Sequence, residues 1–133
     1  MEERIKELSK YRFETSLENL DDARLMYENG RHKNALNRAY YSIFHAIRAV
    51  NILKEFDSSK HSGVIAFFNQ NYVKDGVFSK ELSKIITQAS NNREKADYLD
   101  FYIASREEAA KQIARAEKFT SAIKSYLTEQ GVL

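Results

Sequence analysis

The chain has 133 residues, enough for one ordinary domain that buries about two thirds of the surface its unfolded form exposes. Hydrophobic residues make up 43% of it and charged residues 30%, which excludes an intrinsically disordered segment and supports a single hydrophobic core. The formal net charge of +2, from 21 basic and 19 acidic side chains, neither requires nor excludes nucleic acid as a partner.

Cysteine content and hydropathy exclude further classes of protein. The chain has no cysteine, so neither a disulfide framework nor a thiolate metal site can form. Residues 2–4 lead into an amphipathic run that does not resemble a signal peptide, and the apolar stretches are far shorter than the roughly 18 to 20 residues that span a bilayer. We therefore expect one domain, residues 1–133, in the cytoplasm and without membrane contact.

The first half of the chain has a helical pattern. Proline is absent and glycine occurs only four times, which favours an all-α fold with few, sharp breaks. Residues 11–29 predict a first helix, extended backwards through Ile5 and Leu8, and Asn29-Gly30 supplies its stop. Residues 32–55 predict a second helix that is apolar over much of its circumference, so we expect it to lie at the centre of the fold.

The middle of the chain is predicted to contain a short helix between two breaks. Residues 57–63 are polar and are typical of a loop, residues 64–68 are mainly apolar, and Asp75-Gly76 marks the second break.

Two longer helices are predicted towards the carboxyl end. Ser79 is placed to cap the fourth helix, and Ser90-Asn91-Asn92 is expected to interrupt it. Ser105 and Glu108 form a capping-box pattern that opens the last helix. The pattern as a whole predicts a bundle of about five helices.

One family resembles this chain in four segments. Arg38 to Ala46 reads Arg-Ala-Tyr-Tyr-x-x-Phe-x-Ala, which resembles the second helix of small cytosolic HEPN proteins, and residues 60–65, 93–98 and 105–109 fit the same family in order. The resemblance extends from about residue 11 to residue 126. It implies an antiparallel up-and-down helical bundle, often a homodimer, encoded beside a minimal nucleotidyltransferase. In many members the two act as toxin and antitoxin.

The resemblance also implies a reaction. Catalytic HEPN members cleave RNA without a metal, using an Arg followed after four to six residues by a His. Arg stabilises the charge that develops on the phosphate, and His moves the proton of the attacking 2′-hydroxyl. In this chain the corresponding segment is residues 93–98. It begins with Arg93 and contains Asp97 and Tyr98, but it has no His. The motif is degenerate, which leaves endoribonuclease activity open. By position, Tyr98 is also the tyrosine that a nucleotidyltransferase would adenylylate.

A second Arg and His pair lies on the predicted central helix. Arg38 and His45 are seven residues apart, nearly two turns, so both lie on one stripe about 10 Å apart and a phosphate could bridge them. In the alternative, Arg38 pairs with a carboxylate such as that of Asp97, and His45 forms a hydrogen bond inside the bundle.

The other histidines have simpler interpretations. His61 is predicted to belong to a polar turn and His32 to a solvated helix start. Three scattered histidines without ligand spacing predict no metal site, and no nucleotide-binding motif is present, so we expect no cofactor.

The aromatic and arginine residues allow two functions. The set comprises Tyr40, Tyr41, Tyr98, Tyr102, Arg38 and Arg93. It predicts one of two arrangements. The first is an interface, between helices or between the protomers of a dimer. The second is a groove in which tyrosines stack on the bases of single-stranded RNA and arginines hold its phosphates. The first hypothesis is a HEPN toxin that binds or cleaves RNA and is neutralised by a nucleotidyltransferase. The alternative is a catalytically silent subunit that binds that partner.

Overall fold

The computed structural model describes residues 2–133, which fold into five α-helices with no strand among them. The helices are α1 (Glu3–Glu28), α2 (His32–Asn51), α3 (His61–Phe68), α4 (Lys80–Tyr98) and α5 (Arg106–Glu129). A 3-10 turn, Ile52–Lys54, extends α2, and a π turn, Asn69–Val73, follows α3. The predicted all-α, up-and-down bundle is confirmed. None of the helices in residues 2–133 has the length and apolar content that a bilayer crossing requires.

Helix α2 is the centre of the bundle, as the sequence predicts. It packs against each of the other four helices. Twelve of its 20 residues are buried, which is possible only because its apolar side chains extend around most of the helix. Ile43, Ile47 and Val50 are almost completely buried in the main core, and Leu36 is fully buried in a smaller cluster with Ala96 of α4 and Ala104.

A glycine turn joins α1 to α2. Gly30 has φ +73°, the left-handed conformation that ends many helices, and the Arg31 amide donates a 2.8 Å hydrogen bond back to the Met26 carbonyl. The two helices are therefore antiparallel neighbours. Helix α1 begins at Glu3, which confirms its predicted backward extension.

Small polar side chains let α1 and α2 approach closely. Ser9 and Ser16 are fully buried, and their hydroxyls donate 2.6 Å hydrogen bonds to the carbonyls of Ala49 and Ser42. A serine at these positions fills little volume and satisfies its own hydroxyl on the facing helix. This contact fixes which face of α2 remains uncovered.

Helix α3 begins earlier than its sequence suggests. The predicted break at residues 57–63 is wrong at its end, because His61 already occupies the first turn of α3. Val64 is buried against the core and its carbonyl accepts a 3.0 Å hydrogen bond from Asn51 in α2. That anchoring brings the first turn of α3 against α2.

The predicted interruption of α4 is also wrong. The helix continues through residues 90–92 to Tyr98. Ala89 and Ala96 are both fully buried, so the helical stripe continues across the polar run. The Asn92 amide donates a 3.1 Å hydrogen bond to Gln112 of α5, which satisfies it within the helical conformation. Residues 93–98 thus form the last turns of α4.

The two predicted caps differ. Ser105 accepts a 3.0 Å hydrogen bond from the Glu108 amide at the start of α5, which confirms half of the capping box. Ser79 stands at the N-cap of α4, but its side chain accepts no capping hydrogen bond.

Candidate functional site

One stripe of α2 is not covered by the bundle. Arg38, Tyr41, His45 and Arg48 follow one another at spacings of three, four and three residues, and each is only partly buried. The predicted pair of Arg38 and His45 is therefore on one face, with Tyr41 between them. Their neighbours Ala39, Ser42, Ala46 and Ala49 point into the fold.

Helix α4 places Arg93 over the two adjacent tyrosines of α2. The guanidinium carbon lies 5.1 Å from the ring centre of Tyr40 and 5.6 Å from that of Tyr41, both cation–π distances. The Arg93 Nη2 atom also donates a long, 3.4 Å hydrogen bond to the Tyr41 hydroxyl. Tyr40 is only 2% exposed, and burial raises its pKa to about 12 although Arg93 acts in the opposite direction. Tyr40 is therefore neutral at physiological pH.

Asp97 pairs with Arg93 inside α4. The Arg93 Nε and Asp97 Oδ2 atoms are 3.1 Å apart, and the two side chains are 19% and 29% exposed. The Asn37 amide donates to both carboxylate oxygens at 3.3 and 3.4 Å. The carboxylate thus links α4 to α2 and forms an ion pair with Arg93, in which the Arg93 Nε atom is close to the carboxylate but is not aligned for a hydrogen bond.

Arg38 is held by amides. Its Nη2 and Nε atoms donate to Asn37 Oδ1 at 2.6 and 3.1 Å, and its Nη1 atom donates to Asn19 Oδ1 at 3.0 Å. The guanidinium carbon lies 5.0 Å from the Tyr41 ring centre. The expected pairing of Arg38 with Asp97 is therefore wrong. Neutral amides position Arg38, and no carboxylate of residues 2–133 forms an ion pair with it.

A second arginine pair shares one carboxylate at the other end of the stripe. Arg12 Nη2 lies 2.7 Å from Asp57 Oδ2, and Arg48 Nη2 lies 3.4 Å from Asp57 Oδ1. Burial raises the pKa of Asp57, but the hydrogen bond and charge of Arg12 outweigh it, so the pKa falls below its ordinary value. Two guanidiniums face one carboxylate, which leaves an excess of positive charge.

His45 lies between the arginines of the stripe. Burial and then the charges of Arg48, Arg12 and Arg38 lower its pKa to about 4. No hydrogen bond to its ring is formed by residues 2–133, so the expected hydrogen bond inside the bundle is absent. The ring packs near Tyr41 and Phe44 instead, at centre distances of 6.2 and 5.8 Å.

His61 is the residue that the sequence places wrongly. As the first residue of α3, it lies against α2, where its Nδ1 atom is 2.8 Å from the Tyr40 hydroxyl. Its ring stacks on Phe44 at 4.1 Å and meets the Tyr41 ring edge-on at 5.8 Å. Burial, followed by the charges of Arg93 and Arg48, lowers its pKa. The sequence feature that could have pointed to His61 is its place in residues 60–65, a segment that resembles the HEPN family.

The other two tyrosines lie outside this cluster. Tyr98, at the end of α4, is 73% exposed. The Tyr102 hydroxyl donates a 2.7 Å hydrogen bond to Glu108 at the start of α5, so its ring belongs to a separate contact. Of the predicted set, the structure joins only Tyr40 and Tyr41 to the arginines.

An apolar loop leaves the same end of α4. Leu99, Phe101 and Ile103 are 53%, 100% and 87% exposed, and Tyr98 extends the patch. We call residues 98–103 the apolar loop. It lies within one turn of Asp97, so a macromolecule bound to it would be close to Arg93.

The histidine and carboxylate side chains do not form a metal-binding group. Within residues 2–133, no three of them converge as the ligands of a metal ion do.

Residues 9–126 match the HEPN domain, and this chain belongs to that family. It is 37% identical to a UPF0332 protein of Thermotoga maritima over 110 residues, 83% of each chain. It is also 38% identical to a "putative toxin" of Methanocaldococcus jannaschii over 125 residues, 94% of this chain and 92% of that one.

A solved structure has the same fold. The crystal structure of TT1696 from Thermus thermophilus superposes with a TM-score of 0.75 and covers 90% of this chain and 98% of that one. The two sequences are 16% identical, so this likeness concerns the fold.

Proposed function

We propose that this HEPN protein is a toxin-like protein that binds single-stranded RNA along the exposed stripe of α2 and cleaves it without a metal ion. The observation that carries the proposal is the placement of Arg93 over Tyr40 and Tyr41, continuous with Arg38 and Arg48 on the same face. Two relatives from Methanocaldococcus jannaschii are named "putative toxin", which supports the toxin-like part.

Charge along the stripe favours an RNA backbone. Four guanidiniums, those of Arg12, Arg38, Arg48 and Arg93, face two carboxylates, those of Asp57 and Asp97. The excess charge is local, because the chain as a whole carries only +2. Guanidiniums are planar donors that suit phosphate oxygens.

The aromatic component favours a single strand. Tyr41 is partly exposed and lies between Arg38 and Arg93, so a strand whose phosphates contact the two arginines passes beside its ring, where an unpaired base can make contact. Double-stranded RNA keeps its bases stacked on one another and offers no free face to a tyrosine.

Arg93 is the group we assign to the transition state. During attack of a 2′-hydroxyl on the adjacent phosphorus, negative charge accumulates on the phosphoryl oxygens. Arg93 is restrained by Asp97 and by two rings, so its donors are already oriented when that charge develops.

The test is cleavage of a mixed pool of single-stranded RNA and tRNA in excess chelator. Wild-type protein is compared with Arg93→Gln, Arg38→Ala and His45→Ala, and with Arg115→Gln on α5 as a matched control. We expect cutting by wild type and Arg115→Gln, and a loss of about 100-fold or more for Arg93→Gln. No cutting by wild type at high protein concentration would reject the ribonuclease proposal.

A second candidate function is supported by the apolar loop. Phe101 and Ile103 are almost fully exposed, which costs solubility unless a partner covers them. Because the motif that begins at Arg93 has no His, we infer as the alternative a catalytically silent subunit whose apolar loop binds a minimal nucleotidyltransferase. In this alternative the partner reaches Tyr98, which is exposed beside the loop and is open to adenylylation.

This alternative is tested by co-purification with a minimal nucleotidyltransferase. Phe101→Ser should abolish the complex, whereas Leu25→Ser, at an exposed apolar residue of α1, should leave it intact. Mass spectrometry after incubation with the partner and ATP reports modification of Tyr98, with Tyr98→Phe as the control. Light scattering of the isolated chain tests the homodimer: a dimer that Phe101→Ser dissociates would assign the loop to a second copy.

A further inference from the structure

The degenerate motif that begins at Arg93 lacks a histidine, but the fold supplies one from another helix. Arg93 comes from α4 and His61 from the first turn of α3, and both contact the rings of Tyr40 and Tyr41. The ring centre of His61 is 5.8 Å from each tyrosine ring centre. A cation and an imidazole thus share one aromatic platform although 32 positions separate them in the chain.

We propose that His61 is the proton-transfer residue of this site, acting through its Nε2 atom on RNA held by Arg93. The inference rests on the proposed ribonuclease function and names the group that the degenerate motif does not provide. Sequence spacing does not point to His61, since it is 32 residues before Arg93 and on a different helix.

The hydrogen bond to Tyr40 leaves the required atom free. Nδ1 of His61 contacts the Tyr40 hydroxyl, whereas Nε2 has no partner among residues 2–133 and is not enclosed by protein. When Nδ1 carries the hydrogen and donates it to the Tyr40 oxygen, Nε2 presents its lone pair. The same bond persists after Nε2 is protonated, because imidazolium also donates from Nδ1. A tyrosine oxygen can therefore orient both states of the cycle.

The stacking contact restrains the ring. His61 lies 4.1 Å from Phe44 with a 24° angle between the ring planes, and 16° from the plane of Tyr40. The groups that face it are Tyr40, Tyr41, His45 and Arg48 of α2 and Arg93 of α4. Burial and the charges of Arg93 and Arg48 lower the pKa of His61, which favours the neutral base at neutral pH.

His45, the histidine predicted from its spacing to Arg38, is less suited to this role. It is flanked by Arg48, Arg12 and Arg38, and its pKa of about 4 makes it a weak base at neutral pH. Within residues 2–133, no hydrogen bond fixes its tautomer. The geometry therefore favours His61 over His45 as the base.

The proposed step is a transesterification within the RNA. Nε2 of His61 accepts the proton of the 2′-hydroxyl while the 2′-oxygen forms a bond to phosphorus and the bond from phosphorus to the 5′-oxygen breaks. The 5′-oxygen takes a proton from water, and His61 returns its proton to water. The products are a 2′,3′-cyclic phosphate and a 5′-hydroxyl, and no oxidant, reductant or metal is consumed.

The experiment compares wild type, His61→Ala, His61→Phe and His32→Ala in single-turnover cleavage of single-stranded RNA from pH 5 to 9, in chelator. His61→Phe keeps the stack on Phe44 and so controls for misfolding of the alanine variant. We expect both His61 variants to lose about 100-fold or more, with partial rescue of His61→Ala by added imidazole. His32→Ala, at the start of α2 and outside the stripe, should stay within a few-fold of wild type. Tyr40→Phe should lower the rate and displace the pH profile.

Binding separates this inference from the proposed function. A 2′-deoxy oligonucleotide cannot be cleaved by this route, and its affinity should be nearly the same for wild type and His61→Phe. If wild type cleaves and a folded His61→Phe cleaves as fast, only the assignment of His61 is overturned. If wild type does not cleave at all, the proposed function fails and this inference fails with it.

Discussion

Arg93 and Asp97 lie one turn apart in α4, with the Arg93 Nε atom 3.1 Å from the Asp97 Oδ2 atom. The carboxylate fixes the guanidinium beside the rings of Tyr40 and Tyr41, but it is also the kind of anion that Arg93 would exchange for a phosphate. Asp97 therefore has two opposing effects: it orients Arg93, and it competes with RNA for it.

Removing the Asp97 charge should separate these effects. For Asp97→Asn we expect affinity for single-stranded RNA to rise about 2- to 5-fold, because one phosphate no longer displaces a carboxylate. Cleavage of bound RNA should slow, because Arg93 is less restrained. Fluorescence anisotropy and single-turnover assays measure the two quantities. Glu107→Gln, which breaks a similar pair with Lys111 on α5, is the control. A fall in affinity would contradict the competition.

Arg38 should contribute to RNA affinity in a salt-dependent manner. Its guanidinium is bonded to the neutral amides of Asn19 and Asn37, so its full charge is available to a phosphate. Arg38→Gln should weaken binding at low salt and reduce the slope of log affinity against log salt by about one. The slope is measured by titrating labelled RNA at several salt concentrations. An unchanged slope, matching that of Arg115→Gln, would remove Arg38 from the RNA path.

The sequence predicts the helices better than it predicts the site. Helical periodicity identifies α2 because apolar residues recur around most of its circumference, and the Gly30 turn follows from local backbone chemistry. The expected break at residues 90–92 fails because those polar residues are satisfied in the helix by contacts such as that of Asn92 with α5. A tertiary hydrogen bond of this kind leaves no periodic signal.

The composition of the site could be predicted only in part. Arg38 and His45 share a stripe because helical spacing alone places them there. His61 reaches Tyr40 through the path of the loop after α2, and Arg93 reaches the same ring through the packing of α4 on α2. Both contacts depend on how elements distant in sequence dock, which spacing within one helix does not encode.

His45 should make the fold sensitive to acid. Its pKa is about 4 in the folded state and near 6.5 when unfolded, so the unfolded chain binds a proton first as pH falls. The stabilising contribution is complete above pH 6.5 and is lost as pH falls towards 4. Because the side chain is partly exposed, we expect about 1 to 2 kcal/mol. Urea unfolding at pH 7 and pH 5 measures it.

A comparison of variants separates the contribution of His45 to the pH dependence of stability from the contribution of the carboxylates. His45→Gln should lose less stability between pH 7 and pH 5 than wild type, whereas His32→Gln, at the start of α2, should behave as wild type does. Equal pH dependence in all three proteins would show that His45 titrates in the folded state as it does in the unfolded chain.

The close contact of α1 and α2 should tolerate little added volume. Ser16 is fully buried and donates to the Ser42 carbonyl, so Ser16→Ala should cost about 1 kcal/mol through the lost hydrogen bond. Ser16→Val should cost about 2 to 3 kcal/mol, because its methyl groups also push the helices apart. Ser125→Val, at an exposed position of α5, should stay within about 0.5 kcal/mol of wild type. Chemical denaturation gives all three values, and equal costs for the two Ser16 variants would contradict close packing.

Phe101 stores backbone strain in the apolar loop. Its φ is +59°, a left-handed conformation that costs a side-chain-bearing residue about 1 kcal/mol or more, and its ring is completely exposed. Phe101→Gly should therefore stabilise the isolated chain by about 1 kcal/mol, since it relieves the strain and removes no packing. Glu55→Gly, at the other non-glycine residue with positive φ in residues 2–133, should give a similar gain. Only Phe101→Gly should weaken binding of the nucleotidyltransferase, because only it removes an exposed aromatic ring. If Phe101→Gly stabilises the chain but binds the nucleotidyltransferase as tightly as wild type does, the ring of Phe101 is not part of the interface.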